Sequence, residues 1–344
     1  MSDLKYNSIE KLTHRLYLNN YTLSRTSFYF EKELYKSRIA NTEIDQVVFV
    51  TGLARAGTTV LFNALFQTNA YASLKYSNMP LLLMPNLWHK LHNVKVSPLQ
   101  ERIHGDGIMV NNDSPEAFDE YFWKVFLNDS YIKENHLSLH EVSDKILAEY
   151  VQFMKLVCFS QHKTNYLTKN NNNILRINSL QKLNLKKKIL LVYRHPLEHA
   201  MSLQKEHKLF SDYQKKEPFS LEYFDFLGHY EFGLHHKPFS FNENDLSVLE
   251  DLGKDNTDYW LYCWKSYYKY ILESISGDMI LVAFDDLCNF PDRVTAYMKN
   301  QLNLNTLPVI PQRKKITTYE GTCNQALLSE CVEIYNQLNE FKQY

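Results

Sequence analysis

The stretch 46-QVVFVTGLARAGTTVLFNALFQ-67 decides how this chain is to be read. Its opening residues are apolar or β-prone, a Gly-containing turn follows, and TTVLFNALFQ then reads as a helix. A strand, a tight turn and a helix in that order aim free backbone N–H groups and the positive helix end at an anion. Gly52 and Gly57 bracket four residues, as in a nucleotide-binding P-loop, yet Thr58 stands where a P-loop NTPase carries its lysine. Gly57 lets the backbone approach a ligand closely, and the Thr58 and Thr59 hydroxyls can donate to phosphate oxygens. Arg55 can supply the missing charge, with fork geometry suited to phosphate. An ordinary strand-to-helix turn capped by Thr58 is the bland alternative. A kinase or NTPase is weakened by the missing lysine and by the lack of an Mg²⁺-binding Asp ending a nearby strand.

Outward from this loop, short β-prone segments recur at 166–168, 189–193 and 279–284, with helical patterns between them. That alternation predicts an α/β fold: a P-loop-like parallel sheet of four to five strands flanked by helices. In 113-DSPEAFDEYFWKVF-126, Ser114 reads as an N-cap and Pro115 as the first helical position. In 256-NTDYWLYCWKSYYKYILES-274, aromatics recur every three or four residues, a wide stripe for the core. Residues 324–341 read as a last amphipathic helix. No domain boundary is visible, so 1–344 is read as a single domain with an N-terminal helical extension at 1–45. A mostly helical insert runs from about residue 70 to about residue 165.

The whole chain narrows the function classes. With 38 basic and 39 acidic residues the net charge is −1, which gives no general pull toward nucleic acid or an anionic membrane. Any anion must be held by local groups. Five dispersed cysteines without a C-x-x-C pair read as reduced thiols, not a disulfide framework or zinc site. The pair His235–His236 lacks spaced partners for a metal, and His195 and this pair read as loop or helix-surface residues. A polar start and short apolar runs predict a cytoplasmic chain with no membrane span.

A second anion-binding unit lies at 189-ILLVYRHPLEHAMSLQKEH-207. A strand ends at Arg194, Pro196 opens a helix, and Ser202 follows eight residues after the arginine, so both can grip one phosphate. The bland alternative pairs Arg194 with Glu198 on the helix. Between the two units, 166-YLTKN-170 places Lys169 at a strand end.

GLARAGTT, YLTKN, LLVYRHPLEHAMS and 280-ILVAFDDLCNFPDRV-294, in this order, resemble the PAPS-dependent sulfotransferase superfamily, with bacterial members the most similar. The resemblance covers about residues 46–300. It implies transfer of a sulfuryl group from 3′-phosphoadenosine 5′-phosphosulfate (PAPS) to a hydroxyl or amine of a small-molecule, lipid or saccharide acceptor, without a metal. Arg55, Ala56, Gly57, Thr58 and Thr59 are implied to hold the 5′-phosphosulfate, and Arg194 and Ser202 the 3′-phosphate. Lys169 and Arg55 are implied catalytic cations. Ala54 and Ala56 replace the usual Pro and Ser of the first loop, and 284-FDDL-287 stands as a mainly structural piece. PAPS carries phosphates at both ends of the adenosine, so two separated cradles without metal ligands suit it better than ATP.

A general base should take the acceptor proton. Asn171 occupies a position where relatives carry His, and 70–88 holds no carboxylate or His. The polar stretch 101-ERIHGDGIMVNNDSPEAFDE-120 therefore supplies the candidates: His104 first, Asp106 second, Glu116 third. Glu116 has a structural alternative as an acidic residue in a helix's first turn. The basic run 312-QRKK-315 reads as a solvated charge run rather than a nucleotide lid. The resemblance implies that the helical insert at about 70–165 forms the acceptor site, and its Tyr76, Trp88, Tyr121 and Trp123 default to core. A non-catalytic nucleotide-binding protein of the same fold is the remaining alternative.

Overall fold

The computed structural model describes residues 7–92, 96–101, 107–310 and 322–344. Five strands form one parallel sheet: β1 (Gln46–Thr51), β2 (Tyr71–Ala72), β3 (Asn165–Lys169), β4 (Lys187–Tyr193) and β5 (Met279–Ala283). Their spatial order is β2-β3-β1-β4-β5. Because the strands are covered on both faces, they read as continuous apolar runs, as parallel strands must. Alternate residues separate the two cores. Phe49, Ile189, Leu191 and Tyr193 pack with Trp260, Trp264 and Tyr267, whereas Val48, Val50, Leu190 and Val192 pack with Leu61, Phe62 and Met298.

The register brings the chemistry-bearing strand ends together. Val50 lies beside Lys169 on one side and Leu190 on the other, and Tyr193 lies beside Ala283. The loop after β1, Lys169, Arg194 and Phe284 therefore leave the sheet at one carboxyl edge, where open α/β sheets bind ligands.

The helical stripe 256–274 is realised as the Thr257–Ser274 helix, capped by the Asn256 side chain, with Trp260, Trp264, Tyr267 and Tyr268 buried. The last helix spans Gln325–Glu340 under an Asn324 cap. The N-terminal extension forms helices Ser8–Leu18, Tyr21–Leu34 and Lys36–Ala40. The insert carries helices Pro85–Leu91, Glu120–Leu127 and Asp144–Ser160 and a short antiparallel pairing of Gln100–Glu101 with Met109–Val110.

Three local expectations are corrected. The helix expected from 115 starts only at Glu120. Ser114 is used instead inside a turn with Asn111, while Pro115 forms an antiparallel bridge to Lys75. The strand expected through 284 ends at Ala283, because Phe284 opens the Phe284–Asn289 helix. His236 is no surface residue: it is buried between the Tyr230 carbonyl and the Tyr259 hydroxyl.

Candidate active site

The loop between β1 and the Thr58–Gln67 helix is tightly constrained. Gly57, not Thr58, caps the helix, with φ +102°. A Cβ there would lie 2.4 Å from the Phe284 ring, and one on Gly52 would lie 2.4 Å from the Val192 carbonyl oxygen. Both positions need glycine for backbone conformation and for space. Arg55 also adopts a left-handed conformation, φ +69°, a strain of about 1–3 kcal/mol for a side chain of this kind. Its guanidinium faces Glu206 at 3.7 Å.

Beneath the loop lies a residue that the sequence reading did not single out. His199 is fully buried on the Pro196–Lys216 helix, with Nε2 2.7 Å from the Ala54 carbonyl oxygen. Burial pushes its pKa down to about 3, and Arg194 and Arg55 press in the same direction. The ring is therefore neutral, and since a carbonyl only accepts, Nε2–H must donate. The loop backbone is thus tied to the helix that follows β4.

Ala56 is placed differently from the expectation. Its side chain is fully buried in the core, and its N–H bonds to the Leu53 carbonyl within the loop. A hydroxyl added to this side chain would be buried. Gly57, Thr58 and Thr59 face the cavity, and the first helical N–H groups have no acceptor within their own helix.

Across the loop, Lys169 ends β3 with its ammonium 3.0 Å from Thr59 Oγ1 and 3.2 Å from Glu116 Oε1. Glu116 Oε2 accepts from the Tyr76 hydroxyl at 3.0 Å. The late start of the Glu120–Leu127 helix explains this placement. Glu116 donates its N–H to the Leu74 carbonyl, so it lies on an extended pass beside 74–76 rather than in a helix's first turn. Lys169 is anchored from behind as well. Asn170 donates to Glu120 Oε2 at 2.7 Å, and Glu120 holds Arg176 in a fully buried two-pronged pair at 2.7 and 2.9 Å. Burial opposes the Glu120 charge, yet Arg176 outweighs it and keeps the pKa below the ordinary value.

The second unit is partly as expected. Arg194 follows β4, approaches Glu198 at 3.5 Å and sets its guanidinium 5.1 Å from the Phe284 ring centroid. The pairing weighed as its bland alternative is present, but loose. Ser202 is half-buried on the helix and is not among the cavity-lining residues. Phe284, read from sequence as mainly structural, lines the cavity and touches both Gly57 and Arg194.

These groups line one cavity of about 700 Å³, a usual size for a small-molecule site. It is also lined by Asn171, which donates to Glu231 Oε1 at 3.0 Å, with His229 Nδ1 3.6 Å from the same carboxylate. Burial opposes the Glu231 charge, but His229 and the hydrogen bonds outweigh it and hold its pKa at about 2. Tyr121 and Trp123 are core, as expected, whereas Tyr76 and Trp88 line the cavity. His104, Asp106 and the 312–315 run lie outside the described residues. Among the described residues no group of three or more His, Cys, Asp or Glu could hold a metal ion, and no helix is long and apolar enough to cross a membrane.

The solved structures that match the chain include bacterial sulfotransferases. Sulfotransferase STF1 from Mycobacterium tuberculosis H37Rv matches 88% of this chain and 80% of its own, at 12% identity and TM-score 0.49. Sulfotransferase STF9 from Mycobacterium avium matches 100% of this chain and 80% of its own, at 11% identity and TM-score 0.47. The chain is similar to bacterial sulfotransferases. A third, from Alicyclobacillus acidocaldarius, matches 88% of this chain and 98% of its own, at 12% identity and TM-score 0.41. No protein-family model matches the chain, and no curated protein matches it in sequence.

Proposed function

We propose that the chain is a PAPS-dependent sulfotransferase. The observation that supports this most is the three-way contact of Lys169 with Thr59 and Glu116, in a cavity that Arg55 and Arg194 also line. The residues present fit a nucleotide with phosphates at both ends. Arg55, Gly57, Thr58, Thr59 and Lys169 suit the 5′-phosphosulfate. Arg194 suits the 3′-phosphate, whereas Ser202, which does not line the cavity, adds no support from the structure.

PAPS supplies an activated sulfuryl group for in-line transfer. The acceptor hydroxyl oxygen forms the new bond to sulfur while the bond from sulfur to the bridging phosphate oxygen breaks. Lys169, Thr59 and the first helical N–H groups would stabilise the charge left on that bridging oxygen, a contribution of about 3–4 kcal/mol for a well-placed donor. Glu116 is the base we favour, because its carboxylate already adjoins Lys169, and the Tyr76 hydroxyl orients it. His104 and Asp106 are the alternatives that a variant series separates from it.

Calorimetry with 3′-phosphoadenosine 5′-phosphate in the absence of Mg²⁺ tests the reading. Binding that Arg194→Ala abolishes is the expected result. Mg²⁺-dependent binding of ATP with none of the bisphosphate would replace this reading with a kinase or NTPase. Bisphosphate binding without turnover of labelled PAPS on any acceptor would leave a non-catalytic nucleotide-binding protein.

A further inference from the structure

The acceptor side of the cavity has a composition that narrows the substrate class. Met79, Trp88, Ile108, Phe118, Phe224 and Phe232 make apolar side chains the larger part of its lining, beside polar ones such as Asn111, Asn112 and Gln100, a combination that suits an amphiphile. The apolar character does not stop at the mouth. The Ser8–Leu18 helix, which lines the cavity through Ile9, Glu10, Thr13 and His14, presents Ile9, Leu12 and Leu16 to solvent on one stripe. On the insert, Leu91, Val96, Leu99 and Met109 are likewise exposed, and they alternate with cavity-lining His92, Ser97, Gln100 and Ile108. All seven apolar side chains are between 48% and 75% exposed. Exposed apolar residues grouped in this way mark an interaction surface, unlike the scattered ones of any protein.

From this continuity we infer that the acceptor is the hydroxyl of a water-insoluble amphiphile, taken up from a lipid surface on which the rim of the cavity rests. The inference rests on the sulfotransferase reading for the reaction itself. A second protein chain covering the rim would close the mouth through which an acceptor must pass. A bilayer covers the rim and supplies the acceptor through it. The net charge of −1 leaves apolar contact as the driving force, so the surface should be zwitterionic lipid and the docking insensitive to salt. In the transfer, the acceptor oxygen bonds to sulfur, its proton passes to Glu116, and the electron pair of the broken bond stays on the phosphate oxygen.

Three measurements test this. Flotation with phosphatidylcholine vesicles, run without nucleotide, should recover the wild-type chain at about 0.05 M and at about 0.5 M salt alike. Leu12→Glu/Leu16→Glu, and independently Leu99→Glu, should lower recovery about tenfold. Their circular dichroism should be unchanged, since the side chains are exposed. With labelled PAPS, the same variants should lose about tenfold in turnover of vesicle-borne hexadecanol, yet stay within about twofold on soluble hexanol. Wild-type protein that stays out of the floated fraction overturns the inference. So does preferential sulfation of soluble sugars, or sedimentation showing that the wild type is a dimer and the double variant a monomer. Because flotation needs no nucleotide, its outcome is independent of the bisphosphate calorimetry, and failure of the sulfotransferase reading shows only in the latter.

Discussion

Glu116 shows how much a single carboxylate depends on its neighbours. In sequence it stands one residue after Pro115, reads as the third candidate base after His104 and Asp106, and has a structural alternative as a helix-dipole partner. The Lys75–Pro115 bridge holds that segment extended and turns the carboxylate toward Lys169 instead. Only a contact 53 residues away in sequence creates this role, and no local pattern encodes it. If Glu116 takes the acceptor proton, Glu116→Gln should lower kcat by about 10²–10⁴-fold. Affinity for the bisphosphate, read by calorimetry, should change little. Unchanged kcat would remove Glu116 from the chemistry and return the role to His104 or Asp106.

Among the elements, the strand-loop-helix units carry the site, and they were the legible part. An apolar strand, a glycine turn and a helix start are local features, so 46–67 and 189–207 both declare themselves. Side chains that meet across elements were not legible. Phe284 opens a helix after β5, yet its ring closes over Gly57 and faces Arg194. His199 lies on the helix after β4 and ties down the Ala54 carbonyl of the other unit. The loop therefore has walls that restrict substitution. Gly57→Ala would place a Cβ 2.4 Å from Phe284 Cδ2 at φ +102°. Even with the ring displaced, the left-handed backbone costs an alanine about 1–2 kcal/mol. Denaturant unfolding should therefore show a stability loss of about 1–2 kcal/mol or more, because the unfolded chain is free of this strain. Adding Phe284→Ala should recover only the steric part. Full recovery in the double variant would show that backbone conformation at 57 is not limiting.

At the scale of the whole molecule, the same burial that shapes the site sets how the fold responds to acid. Burial pushes His140 and His207 down to about 4 and His199 and His236 down to about 3, from an ordinary 6.5. Each stays neutral in the fold while its unfolded counterpart takes up a proton below pH 6.5. Unfolding therefore binds protons there, and stability falls as the pH drops through that window. Asp119, raised to about 6 by burial, works the other way between its ordinary 3.8 and that value, so the total slope alone does not isolate the histidines. A difference measurement does. His199→Gln keeps a neutral donor near the Ala54 carbonyl but cannot titrate. Below pH 6.5 and down to about pH 3, the unfolding free energy of the wild type should fall more steeply than that of the variant. The extra slope should be about 1.4 kcal/mol per pH unit, one proton's worth. Denaturant titrations at closely spaced pH values give both slopes. Parallel curves would mean that His199 is protonated in the fold, and its hydrogen bond to Ala54 would then be charge-assisted rather than neutral.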